Sequence, residues 1–232
     1  MTSGETLSRA EDSGEAAGVT GVVVVAHGGK SVSSQPTSAV QPAVLRMVPL
    51  ARAIRSALRG SGAVVFRPRF QLRGWNGEQA LPVLDLSRIV DDIGRRFGPV
   101  PVVLVGHSMG ARAAMRVAGH PAVSAVAGLA PWLPPGEPVG QLAGRRVLLV
   151  HGNADRITRP EDTWAYAERA RSVAEVVAVE IRNGEHAMLR RAGLWHSVAA
   201  EFVSGVFGLP GAGGHVAEVL RTAAADPRRV VL

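Results

Sequence analysis

Six short runs in this chain are apolar at consecutive positions rather than at alternate ones: GVVVVAH (21–27), AVVFRPRF (63–70), VVLVG (102–106), VSAVAGLA (123–130), RVLLVHG (146–152) and EVVAVEI (175–181). A β-branched run of that kind makes a strand whose two faces must both be hidden from water. Longer segments with helical spacing separate the runs. Pro42 to Leu58 places Val44, Leu45, Val48, Leu50, Ala51 and Ile54 on one face, and Leu81 to Phe97 does the same with Leu81, Leu84, Leu86, Ile89, Ile93 and Phe97. Further helices are expected over 109–118, 159–173 and 194–207. Helices that cross over between parallel strands cover both faces of the sheet, and the crossovers are right-handed. The expectation is an α/β domain: a doubly wound, mainly parallel six-stranded sheet with helices on both faces.

That domain occupies residues 19–207, with no composition shift inside it to mark a second one. Residues 1–18 are polar and acidic without an apolar core, which reads as a disordered leader and not as a secretory signal. Residues 208–232 form a tail with one short helix, expected over 215–225, before the basic and apolar DPRRVVL. Packing or a homodimer contact is the role that suits this tail. No apolar stretch approaches the ~20 residues of a membrane span, so no membrane partner is expected and the chain is placed in the cytoplasm. With no cysteine, disulfides, thiolate metal sites and cysteine nucleophiles are excluded. No paired-histidine spacing suggests a metal site either. The formal net charge of +7 invites a nucleic-acid reading. The basic residues, however, are scattered arginines with Lys30 as the one lysine, and 4% aromatic content is too thin for base stacking.

Ligands of an open parallel sheet bind at the carboxyl ends of its strands, so the residues just after each strand are where chemistry is sought. Gly106-His107-Ser108-Met109-Gly110 follows the third run and precedes an alanine-rich helix. A serine between two glycines at a strand-to-helix turn sits in a strained conformation that lifts its hydroxyl clear of the sheet, and the glycines relieve crowding against neighbouring elements. Such a hydroxyl needs a base to take its proton and an acid to orient that base. His186, in RNGEHAML, follows the sixth run and Asp155, in HGNADRIT, follows the fifth. Glu161 and Asp162 are rival acids, but their place at a helix start suits the helix dipole. His196 and His215 fall on helices.

The elbow around Ser108, the acid in an HG-x-x-D loop, the histidine in a G-x-H loop and their order together resemble the α/β-hydrolase fold superfamily over about residues 19–207. More narrowly, the chain is similar to small actinobacterial-type, dienelactone-hydrolase-like serine hydrolases. Enzymes that open dienelactones carry a cysteine nucleophile, which this chain lacks. The resemblance implies a catalytic triad of Ser108, His186 and Asp155 that cleaves a small carboxylic ester through an acyl-enzyme, with no cofactor. Thioester or amide cleavage, acyl transfer on the same triad, and a non-catalytic binding scaffold are the alternatives. It also implies an oxyanion hole made of the Met109 amide and that of Gly29, with Gly28 or Lys30 as the other candidates. The two antiparallel strands with which that fold usually opens are missing, and PWLPPGEPVGQLAGR leaves no room for a helical cap. The fold is therefore trimmed and its site open. Trp132 and Trp75 are placed to wall a substrate pocket. His27 and His107 are structural or pocket-lining. Arg67, Arg69 and Arg73 suit surface ion pairs or an anionic substrate.

Overall fold

In the computed structural model, residues 18–210, 216–218, 220–221 and 230–232 are described. Residues 1–17 of the leader expected over 1–18, and most of the helix expected over 215–225, lie outside them, although 216–218 and 220–221 are helical. The strands are β1 (Gly21–Ala26), β2 (Ala63–Phe66), β3 (Val102–His107), β4 (Val123–Leu129), β5 (Arg146–Gly152), β6 (Glu175–Ile181) and β7 (Val230–Val231). The helices are α1 (Pro42–Leu45), α2 (Met47–Ala57), α3 (Leu81–Phe97), α4 (Met109–Val117), α5 (Pro160–Ala170) and α6 (Ala192–Val206).

Every strand pair is parallel, in the order β2-β1-β3-β4-β5-β6-β7. The chain moves outward from β1 to β2, then returns to the other side of β1 to lay down β3. Connections after β1 and β3 therefore diverge, which opens a crevice at their carboxyl ends. Alternation within each strand divides the core. Val22 and Val24 face a layer built on Leu86, Ile89 and Ile93 of α3, Met115 of α4 and Tyr166 of α5. Val23 and Val25 face Leu50 and Ile54 of α2 and Trp195, Val198 and Phe202 of α6. All six residues of β1 and of β3 are buried, as their unbroken apolar sequence requires.

Three local expectations are corrected. The sheet has seven strands, not six: Val230 and Val231 pair in parallel with Val179 and Glu180, and the Leu232 amide donates to Glu180 O at 2.8 Å. The basic residues of DPRRVVL mask a β-branched pair suited to the open edge of β6. The helix expected over 42–58 breaks at Arg46, because Pro49 has no amide hydrogen and its ring clashes with the carbonyl four residues back. Restarting at Met47 puts that proline in a first turn, where the missing donor costs nothing. Finally, β2 ends at Phe66, short of residue 70 and two residues before the Pro68 expected to end it, as Pro68 cannot donate to a ladder and the chain peels away from β1.

Between β4 and β5 the only regular structure is a single 3-10 turn, Gly140–Leu142, so no helical cap stands there. Among the described residues, no helix is long and apolar enough to cross a membrane.

Candidate active site

Ser108 links β3 directly to α4 with φ 53° and ψ −118°, a conformation that side chains rarely adopt. Its neighbours make that turn obligatory. A Cβ on Gly106 would sit 2.5 Å from the backbone of Ala111, and one on Gly110 would overlap the carbonyls of Ala26 and His27. Helix α4 can thus lie against β3 and β1 only with glycine at both positions. The Ser108 amide donates to Leu129 O at 3.1 Å, and its carbonyl accepts from Arg112 and Trp132 at 3.2 and 3.3 Å. Three bonds to the backbone therefore anchor the turn.

The three polar side chains singled out in the sequence meet. His186 Nε2 lies 3.0 Å from Ser108 Oγ, and His186 Nδ1 lies 2.7 Å from Asp155 Oδ2. Each comes from a loop at the carboxyl end of a different strand, and the Ala154 amide bonded to Gly184 O at 2.9 Å ties the acid loop to the histidine loop. Burial alone would raise the Asp155 carboxyl, but hydrogen bonds from His151, His186 and the amides of Ile157 and Thr158 outweigh it and hold the group below the usual carboxylate range. An ionised carboxylate only accepts, so Nδ1 of His186 carries the proton and Nε2 is free to accept from the serine hydroxyl. Of the rival acids, Glu161 pairs loosely with Arg159 at 3.9 Å on the first turn of α5.

His27 and His107 both brace the site. The Phe70 amide donates to His27 Nε2 at 3.1 Å, so the ring proton sits on Nδ1 and goes to Gly28 O at 2.7 Å. Burial keeps this imidazole below its ordinary value, consistent with a neutral ring. In a trans peptide the carbonyl and the next amide point in opposite directions. With Gly28 O turned to His27, the Gly29 N–H points away from that ring. Gly28 itself packs so closely that a Cβ there would stand 3.3 Å from that of Ser108. The Lys30 amide is committed to Arg73 O at 2.8 Å, which removes it as an oxyanion donor. His107 donates Nε2–H to the backbone oxygen of His186 at 2.9 Å, with the two rings 4.9 Å apart.

Trp75 and Trp132 meet edge to face at 6.0 Å, and the Arg112 guanidinium lies 4.0 Å from one ring centre and 4.5 Å from the other. Glu137, buried, pairs with Arg112 and with Arg116, the latter at 2.6 Å. Sequence reading missed this cluster. Its signals were the i, i+4 arginines on α4 and an acid in an otherwise apolar, proline-rich loop. Arg73, considered for ion pairing, instead donates to Pro36 O and Gln35 Oε1 at 3.1 and 2.9 Å, holding the loop after β1. Also missed were His151 and Thr158, whose side chains reach Asp155 Oδ2 at 3.0 and 2.9 Å. Among the described residues, no group of three or more histidines or acids could hold a metal ion.

A switch-point serine on a strained elbow, in line with an imidazole and a buried carboxylate, defines a protein of hydrolase architecture. The sequence pattern of the alpha/beta hydrolase fold matches residues 22–166, and the chain belongs to that family. Solved structures agree on the fold. An alpha-beta serine hydrolase homologue from Coxiella burnetii superposes with a TM-score of 0.60 at 17% identity, over 78% of this chain and 84% of that one. Est1E from Butyrivibrio proteoclasticus gives 0.60 at 14% identity, over 82% and 90%. XC6422 from Xanthomonas campestris, described as an a/b serine hydrolase without lid, gives 0.57 at 18% identity, over 85% and 86%. No curated protein sequence matches the chain.

Proposed function

We propose that the chain is a serine hydrolase of small carboxylic esters. The observation that carries this reading is the unbroken hydrogen-bonded line from Ser108 Oγ through His186 to Asp155. In the forward step His186 Nε2 takes the hydroxyl proton as Ser108 Oγ bonds to the ester carbonyl carbon. The developing oxyanion is held by the amides of Met109, at the start of α4, and of Gly29. Collapse breaks the bond to the alkoxide, which leaves as the alcohol with the proton returned from His186. Water then repeats the sequence on the acyl-enzyme and releases the acid. Asp155 fixes the ring tautomer and stabilises the imidazolium, and the two amides together supply several kcal/mol by typical magnitudes. The absence of a cap between β4 and β5 supports compact, exposed esters, and the Pyrococcus furiosus esterase Pf2001, of similar fold, supports the reaction type.

The experiment is labelling with a fluorophosphonate probe followed by peptide mapping. The label is expected on Ser108, lost in Ser108→Ala together with several orders of magnitude in ester turnover. A label elsewhere, or none, overturns the reading. Faster turnover of an acyl-CoA than of a short nitrophenyl ester would move the substrate from oxygen to thiol esters.

A further inference from the structure

The carboxylate of Asp155 receives two imidazoles, not one. His151, the sixth residue of β5, is fully buried, and its Nε2 stands 3.0 Å from Asp155 Oδ2, the same oxygen that lies 2.7 Å from His186 Nδ1. Because the ionised acid only accepts, the contact requires a proton on His151 Nε2. The far side of that ring is pinned as well: Nδ1 lies 2.7 Å from Thr163 Oγ1 on α5. Thr158 Oγ1 closes the group, 2.9 Å from Asp155 Oδ2 and 3.1 Å from His186 Nδ1. Oδ1 is held by the amides of Ile157 and Thr158 at 2.8 and 3.0 Å. The Asp155 and His151 side chains are both wholly shielded from solvent. Ser108 touches only the far end of this chain of bonds, so His151 acts on it solely through Asp155 and His186.

Resting on the proposed esterase reading, we propose that His151 is a positioning residue of the triad. By donating Nε2–H to Asp155 Oδ2 it fixes the oxygen that orients His186, and it draws off part of that oxygen's charge, which tempers the basicity of the imidazole facing Ser108. A carboxylate with one donor fewer concentrates more charge on the His186 side and favours the imidazolium. Other groups face the relay without taking its place. His107 on β3 lies beside His186 with its ring tilted at 49° to it, Glu185 is the neighbour of His186 in the same loop, and Arg46 between α1 and α2 bears electrostatically on both His107 and Glu185. Helix α5 turns Thr163 and the Trp164 ring toward His151, the latter 6.1 Å away.

Two near-isosteric substitutions separate positioning from packing. Gln at position 151 keeps an amide N–H where Nε2 was, whereas Asn keeps one only where Nδ1 was. The acid limb of the kcat/KM profile on a short nitrophenyl ester is expected to move up by about half a pH unit or more in His151→Asn, with KM nearly unchanged, and to stay at its wild-type place in His151→Gln. Equal limbs in all three proteins overturn the proposal while Ser108 labelling leaves the esterase reading standing; loss of labelling in the wild type overturns both. A measurement on the unmodified protein serves if a variant does not fold. Nitrogen-15 spectra of the wild type are expected to show His151 protonated at Nε2, and a ring protonated at Nδ1 alone refutes the donation to Asp155.

Discussion

Acidification should unfold this protein earlier than its carboxylates alone would dictate, and His107 is the reason. Its ring is 1% exposed, gives Nε2–H to the His186 carbonyl, and has no hydrogen-bond partner at Nδ1 among the described residues. Burial, reinforced by the neighbouring His186 and Arg46, pushes this imidazole down from 6.5 to about 3. The unfolded chain therefore takes up a proton first as the pH falls. No penalty exists above 6.5; stability is lost as the pH drops through 6.5 and on toward about 3. At ~1.4 kcal/mol per pH unit, the loss approaches roughly 3 kcal/mol by pH 4 and roughly 5 kcal/mol once the native ring is also charged. His107→Gln retains an N–H for the His186 carbonyl and has nothing to titrate. Urea midpoints of both proteins at pH 7, 5.5 and 4 give the comparison. The wild type should lose about 3 kcal/mol more than the variant between the first and last of these. Parallel losses would refute the claim that burial keeps the ring neutral.

Asp155→Asn should lower ester turnover by about four orders of magnitude, since the amide presents the wrong partner to His186 Nδ1. It should also lower the urea midpoint at neutral pH, because the donors that hold the buried carboxylate lose their charged acceptor. Gly110→Ala drives a methyl group into the carbonyls of Ala26 and His27 and should cost about 3 kcal/mol in urea unfolding together with most of the activity. Glu137→Gln leaves Arg112 charged between two indoles and Arg116 without its acid. With the Arg116 side chain 37% exposed, much of its share is screened, so a loss of about 2–3 kcal/mol is expected at neutral pH. An unchanged midpoint would mean that solvent already carries those charges.

The arrangement of the sheet was legible because fully buried strands leave no polar positions to confuse the pattern, and β5 and β6 begin and end where their aliphatic runs do. Ser108, Asp155 and His186 were legible for a topological reason: each follows such a run, and strand ends of one parallel sheet share an edge. What escaped reading was whatever depends on a partner distant in sequence. His151 stands inside an apolar run and reads as no more than a strand residue until Asp155 and Thr163 close on it from a loop and a helix. Arg112 belongs to an ordinary helix until two indoles from separate loops flank it. Val230 and Val231 are too few to announce a strand without the edge they join. Pro49 stands in plain view in the sequence, and its missing amide is enough to split the first helix.

The pairing of β7 with β6 reaches further than the sheet edge. The backbone oxygen of Leu232 takes both the amide of Arg182, at 2.8 Å, and the guanidinium of Arg191, at 3.1 Å. Those two arginines bracket the loop that presents His186, so one carbonyl works as a clasp across both ends of it. The stance of the imidazole is thereby set in part by a residue it never touches, and trimming a few residues from the tail would loosen the mounting of His186 while leaving all three residues of the proposed triad in place.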